Sequence, residues 1–112
     1  MIARVWRGWT RPDDADRYEA LLQTEILPAI AARDIDGYRG GEVLRRALDT
    51  EVEFMTVLRF VSMADVRRFA GEDVEAAHIT AAARRLLIRH DDRARHYERR
   101  HHQGPSDRRP SA

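Results

Sequence analysis

The feature that most restricts what this chain can become is the run EVEFMTVLRFV, Glu51 to Val61. In an extended strand alternate side chains face opposite ways. Val52, Phe54, Thr56, Leu58 and Phe60 then share one face, and Met55, Val57 and Val61 share the other with Glu53 and Arg59. A strand with one wet face alternates cleanly between apolar and polar residues, and this one does not. The opening run IARVWRGW behaves likewise: Ile2, Arg4 and Trp6 fall on one face, Ala3, Val5 and Trp9 on the other. A small subunit can cover one face of such a sheet with its own helices. The second face then presents an apolar patch that calls for a partner, and the simplest partner is a second copy related by a two-fold axis.

Around these two strands the chain punctuates itself. Ile2 to Trp9 is rich in β-branched and aromatic residues. Thr10-Arg11-Pro12-Asp13 has the form of a helix start, and Ala15, Tyr18, Leu22, Ile26 and Ile30 follow at the spacing of one helical stripe. Pro28 lacks the N–H that a helix interior needs, which predicts a break or kink near Leu27. Tyr38 to Arg46 pairs with Glu51 to Val61 as a hairpin, with Gly40-Gly41 marking a bulge. Ser62-Met63-Ala64-Asp65 has capping-box character and opens a helix through Phe69. Gly71 ends it, Asp73 is placed to cap a further helix from Val74 to about Arg84, and Arg93 to Arg99 is the last strand. The order β-α-β-β-α-β predicts an α+β, ferredoxin-like fold. Its four-stranded antiparallel sheet has the first and third strands at its centre. The domain runs over residues 1–98, and 99–112 is a basic tail without apolar periodicity.

Composition removes several chemistries. The formal net charge of +1 gives no global field for nucleic acid or acidic membrane. Cysteine is absent, so disulfides and thiolate metal sites are excluded. Lysine is absent too, which removes Schiff-base chemistry and the P-loop lysine. Arg4 and Arg7 interrupt the apolar start that a signal peptide requires, and no run reaches the roughly 20 apolar residues of a membrane span, so a cytoplasmic protein is expected.

The segments MIARVWRGWT, YRGGEVLRR, FVSMADVRRFAGEDVEAA and RHYE, taken in order over residues 1–98, resemble the antibiotic biosynthesis monooxygenase-like family. The resemblance implies a ferredoxin-like subunit, a homodimer packed sheet against sheet as a dimeric α/β barrel, and a pocket between sheet and helices. Characterised relatives oxidise polyphenolic or quinol substrates with O2 and use neither metal nor flavin; others cleave haem. The haem-degrading relatives rely on an asparagine, as do some of the monooxygenases, and this chain has none. What matches is Trp6 as an aromatic pocket wall and His78 on the segment after the second helix start.

Cofactor-free oxygenation asks for a base that ionises a phenol and a donor that faces negative charge on oxygen. Histidine suits the first role near neutral pH and arginine the second. The candidate catalytic residues are therefore His78 and Arg4, with Trp6, Tyr18 and His96 as substrate-binding candidates; no metal and no cofactor are expected. Each has a plainer reading beside it. Arg4 suits a sheet-face arginine paired with a carboxylate such as Glu53 or stacked on a ring, and His96 a partner of Glu98 or another edge carboxylate. His78 suits a satisfied or solvent-facing residue on a helix, and Tyr18 the helix core. His90-Asp91-Asp92 supplies metal-ligand atoms without a second histidine at useful spacing. Two functions compete: a cofactor-independent monooxygenase for an aromatic, polyketide-like or quinol molecule, and a non-catalytic small-ligand-binding or auxiliary protein using the same pocket. RNA-recognition domains share the element order, but EFMTVLRF lacks their glycine-aromatic pattern, and nucleic acid is not an expected partner.

Overall fold

A computed structural model describes residues 1–105. Five strands form one antiparallel sheet: β1 (Ile2–Thr10), β2 (Tyr38–Ala47), β3 (Val52–Phe60), β4 (Leu87–His90) and β5 (Arg95–Glu98). The order is β2-β3-β1-β4, with β5 also on β1, so the first and third strands are central as their two-sided patterning predicts. The fourth position is filled by two short strands where the sequence suggests one. β4 pairs with Gly8 to Thr10 and β5 with Ile2 to Val5. Between them the Asp91 carboxylate accepts from the Arg7 backbone N–H at 3.0 Å, and Ala94 donates its N–H to Glu75 at 2.9 Å. The ladder is thus handed briefly to a side chain and to a neighbouring segment. Gly40 takes φ +92°, and the β2–β3 register slips between Tyr38 and Gly41, the bulge that the glycine pair announces.

The helices lie on one face. After a 3-10 turn at Pro12–Asp14 come α1 (Ala15–Leu21), a π-helical turn (Leu22–Ile26) and α2 (Leu27–Ala32). Pro28 therefore ends nothing. Leu27 donates to Leu22 O, five residues back, and this wider turn absorbs the proline's missing donor and its bulk. α3 (Met63–Ala70) is capped by Ser62, whose Oγ accepts from Asp65 N. The expected helix over Val74–Arg84 is not there; a short α4 (Ala81–Leu86), capped by Thr80, replaces it. Residues 74–76 cannot wind because their carbonyls are engaged elsewhere: Val74 O and Ala76 O by Arg4, Glu75 O by Ala94.

Register divides the sheet's residues without ambiguity. Ile2, Arg4, Trp6 and Thr10 of β1 share a face with Val52, Phe54, Thr56, Leu58 and Phe60 of β3. Against that face pack Tyr18, Leu22 and Ala83 around Phe54, and Val66 with Phe69 around the wholly buried Phe60. Tyr18 meets Phe54 edge to face at 4.9 Å.

The opposite face carries no helix. Val5 and Val57 lie at its centre, with Met55, Arg7 and the exposed Leu44 beside them and the exposed Tyr97 on β5. Ion pairs Arg46–Glu53 (2.9 Å), Arg59–Glu42 (2.5 Å) and Arg89–Glu51 (2.9 Å) border it. Trp9 belongs to this side, opposite in parity to Trp6. It is 5% exposed beneath Arg7 and Arg89, whose guanidinium carbons stand 5.2 and 3.9 Å from its ring, and its buried Nε1 has no partner among the described residues. Residues 99–105 follow β5 without regular structure, with Arg99 N bonded to Met1 O at 2.9 Å. The rest of the predicted tail, Arg108 and Arg109 included, lies outside the described residues. Among the described residues no helix is long and apolar enough to cross a membrane.

Candidate functional site

A cavity of about 110 Å3 lies between the helix-bearing face of the sheet, the α1–α2 helix and the segment leading into α4. Its apolar wall comes from Leu22, Ile26, Leu27, Ile30 and Leu58, with the rings of Trp6 and Phe69. Polar atoms enter from Arg4, Tyr18, Thr56, His78 and Thr80. A dry apolar cavity of roughly 150 Å3 holds a benzene ring, so this space is on the scale of a small aromatic molecule.

Four of the five residues singled out in the sequence line this one space: Arg4 and Trp6 from β1, Tyr18 from α1, and His78 from the segment after α3. His96 stands just behind Arg4. β1 brings Arg4 and Trp6 together because residues two apart share a face.

Arg4 is 5% exposed. Its Nη1 donates to Val74 O (2.5 Å) and to His96 Nε2 (2.9 Å), its Nη2 to Ala76 O (2.8 Å), and its guanidinium lies over Phe69 at 5.3 Å. The ring contact agrees with the plainer expectation; the carboxylate does not. Glu53 faces the other side of the sheet, where it pairs with Arg46. Burial lowers the Arg4 pKa, and Glu75 at longer range opposes the shift. Among the described residues His96 pairs with no carboxylate either. Because arginine has only donors, His96 Nε2 accepts, the imidazole is neutral with its proton on Nδ1, and burial together with Arg4 lowers its pKa.

His78 sits in an irregular segment and not on a helix. Its Nε2 lies 3.2 Å from Ala70 O; as a donor there it leaves Nδ1 free to accept a proton. Tyr18 is 1% exposed, and burial pushes its hydroxyl up to about 12, so the phenol stays protonated and has a proton to donate. Trp6 is fixed by Nε1 to Asp91 O (2.9 Å) and by stacking on His90, with ring centres 5.5 Å apart at 29°. The same contacts turn His90 and Asp91 toward Trp6 and Arg7. Among the described residues no group of three or more histidine, aspartate or glutamate side chains could hold a metal ion.

Among the lining residues that sequence reasoning did not single out for the site are Thr56, Phe69 and Thr80. Thr56 was within reach of parity, since it stands directly opposite Trp6 in the β1–β3 ladder. Phe69 reaches the cavity from the last turn of α3, and Thr80 through the path of the 71–80 segment, whose local signals point to a helix that does not form.

Fold and site together define a ferredoxin-like α+β protein with one aromatic-walled cavity between sheet and helices. No protein-family model matches the chain, and no curated protein matches it. Solved structures do. A Bacillus cereus protein provisionally named an antibiotic biosynthesis monooxygenase superposes with a TM-score of 0.69 over 96% of this chain and 98% of its own, at 12% identity. Rv0793 from Mycobacterium tuberculosis gives a TM-score of 0.59 over 92% and 98%, at 18% identity. At that identity the likeness establishes the fold: the chain has the ferredoxin-like α+β architecture of these proteins along nearly its whole length.

Proposed function

We propose that this protein takes up a small aromatic phenol or quinol, of polyketide-like or simpler skeleton, and oxidises it with O2 without metal or flavin. One observation carries the reading: a single aromatic-walled cavity brings a histidine with a free ring nitrogen and a buried arginine to the same small space. The name of the Bacillus cereus structure lends support through shared fold.

In the proposed chemistry His78 Nδ1 takes the phenolic proton, which raises electron density on the ring so that it can reduce O2. Arg4, itself buried, faces the negative charge that moves onto oxygen. For a phenol with a free para position, the C–H para to the hydroxyl becomes C=O and the hydroxyl becomes the second C=O. The other oxygen atom leaves as water with the two hydrogens, and four electrons pass from ring to O2. Two copies assemble through the open sheet face, which supplies the cover that the helices do not.

A non-catalytic ligand-binding role is the second reading. It draws on Arg4, three of whose five N–H groups are committed to the protein's own residues 74, 76 and 96. Aerobic incubation with 1-naphthol separates the two. The first reading expects one O2 consumed per 1,4-naphthoquinone formed, with one labelled oxygen retained from isotopic O2. Removing the base in His78→Ala should cost about 10²–10⁴-fold in rate. Saturable binding of 1-naphthol without oxygen uptake would leave only the second.

A further inference from the structure

Building on the proposal that the cavity is a ligand site, we infer that it selects ligands bearing an anionic oxygen on an aromatic ring, an aryl carboxylate or a phenol held ionised, and seats that oxygen on Arg4. Arg4 is the only charged side chain among the residues that line the cavity. No carboxylate forms an ion pair with it among the described residues. The nearest candidate, Glu75, is held by Arg93 Nε at 3.0 Å. Asp73 is paired to Arg93 as well.

The guanidinium's existing partners are two peptide carbonyls and a neutral imidazole. They fix its position but do not cancel its charge. A buried cation with no counter-ion is costly, and an anion brought against it recovers that cost in a poorly screened environment. The donors to receive it exist. Nε–H and the second N–H of Nη2 have no partner among the described residues. Elsewhere in this molecule the Nε/Nη2 edge holds a carboxylate on Arg7 (Asp91, 3.0 and 3.0 Å), on Arg89 (Glu51, 3.2 and 2.9 Å) and on Arg46 (Glu53, 3.2 and 2.9 Å), while Arg45 and Arg68 use Nη1. Arg4 thus keeps Nε–H and one N–H of Nη2 uncommitted among the described residues, donors of the kind that Arg7, Arg46 and Arg89 give to carboxylates. Around it, Trp6, Phe69 and Leu58 offer flat and apolar contact for a ring.

The test is equilibrium binding to the full chain by calorimetry at neutral pH. Benzoate is compared with benzamide, and 2-naphthoate with 2-naphthamide, pairs that match in shape and differ in charge. Each carboxylate should bind at least about tenfold more tightly than its amide, the scale of a charge-assisted hydrogen bond. That ratio should fall toward one in Arg4→Gln and persist in Arg89→Gln, which alters a cation on the opposite sheet face. Amides that bind as tightly as the acids would overturn the inference and leave the cavity reading standing. A preference lost in Arg89→Gln but kept in Arg4→Gln would overturn it too, by locating the anion elsewhere. Failure of all four compounds to bind would remove the cavity reading and this inference together. The wild-type comparison decides the matter even if Arg4→Gln does not fold.

Discussion

Gly37 precedes β2, and its hydrogen stands where any side chain would strike Asp65. A Cβ built there lies 1.8 Å from Asp65 Oδ2 and 2.0 Å from its Cγ. Asp65 is buried and tethered: Ser62 Oγ donates to Oδ2 at 2.9 Å, and Arg68 Nη1 to Oδ1 at 2.6 Å. In Gly37→Ala the carboxylate must leave. The Ser62 hydrogen bond is worth about 1 kcal/mol. The acidic group in the first turn of α3 adds about 0.3–1 kcal/mol, and the Arg68 pair, whose arginine is 62% exposed, adds little. Residual crowding in a close-packed interior adds about 1–2 kcal/mol. The sum is about 2–4 kcal/mol of lost stability, a fall of about 10–25 °C in Tm for a domain of this size. The φ of Gly37 is not among the positive ones, so the backbone accepts alanine. With Asp65→Ala already in place, the same Gly37→Ala change should therefore be neutral or stabilising by up to about 1 kcal/mol, through the unfolded chain. Urea unfolding of the four proteins of this cycle, followed by far-UV circular dichroism, measures the coupling. A Gly37→Ala cost below about 0.5 kcal/mol, or an equal cost in both backgrounds, would refute the collision.

Two further outcomes follow from His96 and from the open sheet face. Because the folded His96 pKa lies below its ordinary value of 6.5, its contribution is whole above pH 6.5, where the imidazole is neutral in both states. As pH falls from 6.5 through the lower folded value, the unfolded chain takes the proton first and stability is lost; His96→Gln should flatten that part of the urea-midpoint profile, and an unchanged profile would count against the Arg4–His96 contact. Sedimentation at micromolar concentration should give twice the 13.0 kDa chain mass, and Leu44→Glu, at an exposed position of the open face, should halve it while leaving the fold intact; a folded wild-type monomer would contradict assembly through this face.

Parity made the sheet legible in the sequence. A period of two along Ile2–Trp9 and Glu51–Val61 places Trp6 with the helices and Trp9 away from them, and it puts Arg4 beside Trp6. Ser62 and Asp65 announced α3 through capping chemistry alone. The segment from Val74 to Thr80 was not legible, because its fate rests on Arg4, seventy residues earlier in the chain, taking Val74 O. Local propensity favours a helix there, and a distant donor overrides it. The last strand, expected over Arg93–Arg99, forms as β5, and β4 adds a short strand before it; between them the Asp91 carboxylate accepts from Arg7 N–H while Asp91 N–H donates to Arg7 O. His78 lines the cavity from an irregular segment where a helix was expected, and of the two plainer readings of Arg4 the ring stack on Phe69 is present while register puts Glu53 out of reach.

The wide turn at Leu22–Ile26 has a consequence for how this molecule could be reshaped. It winds one residue more than an α-helical turn between Tyr18 and Leu22 on one side and Leu27 and Ile30 on the other. Because such a turn takes up an extra residue within itself, deleting a single residue there should restore regular α-helical winding and leave Leu27 and Ile30 on their wall while every strand stays put. The same deletion placed in the regular winding of α1 would instead rotate everything downstream by about 100°, so the wide turn is where this helix tolerates a change of length without redrawing the chamber.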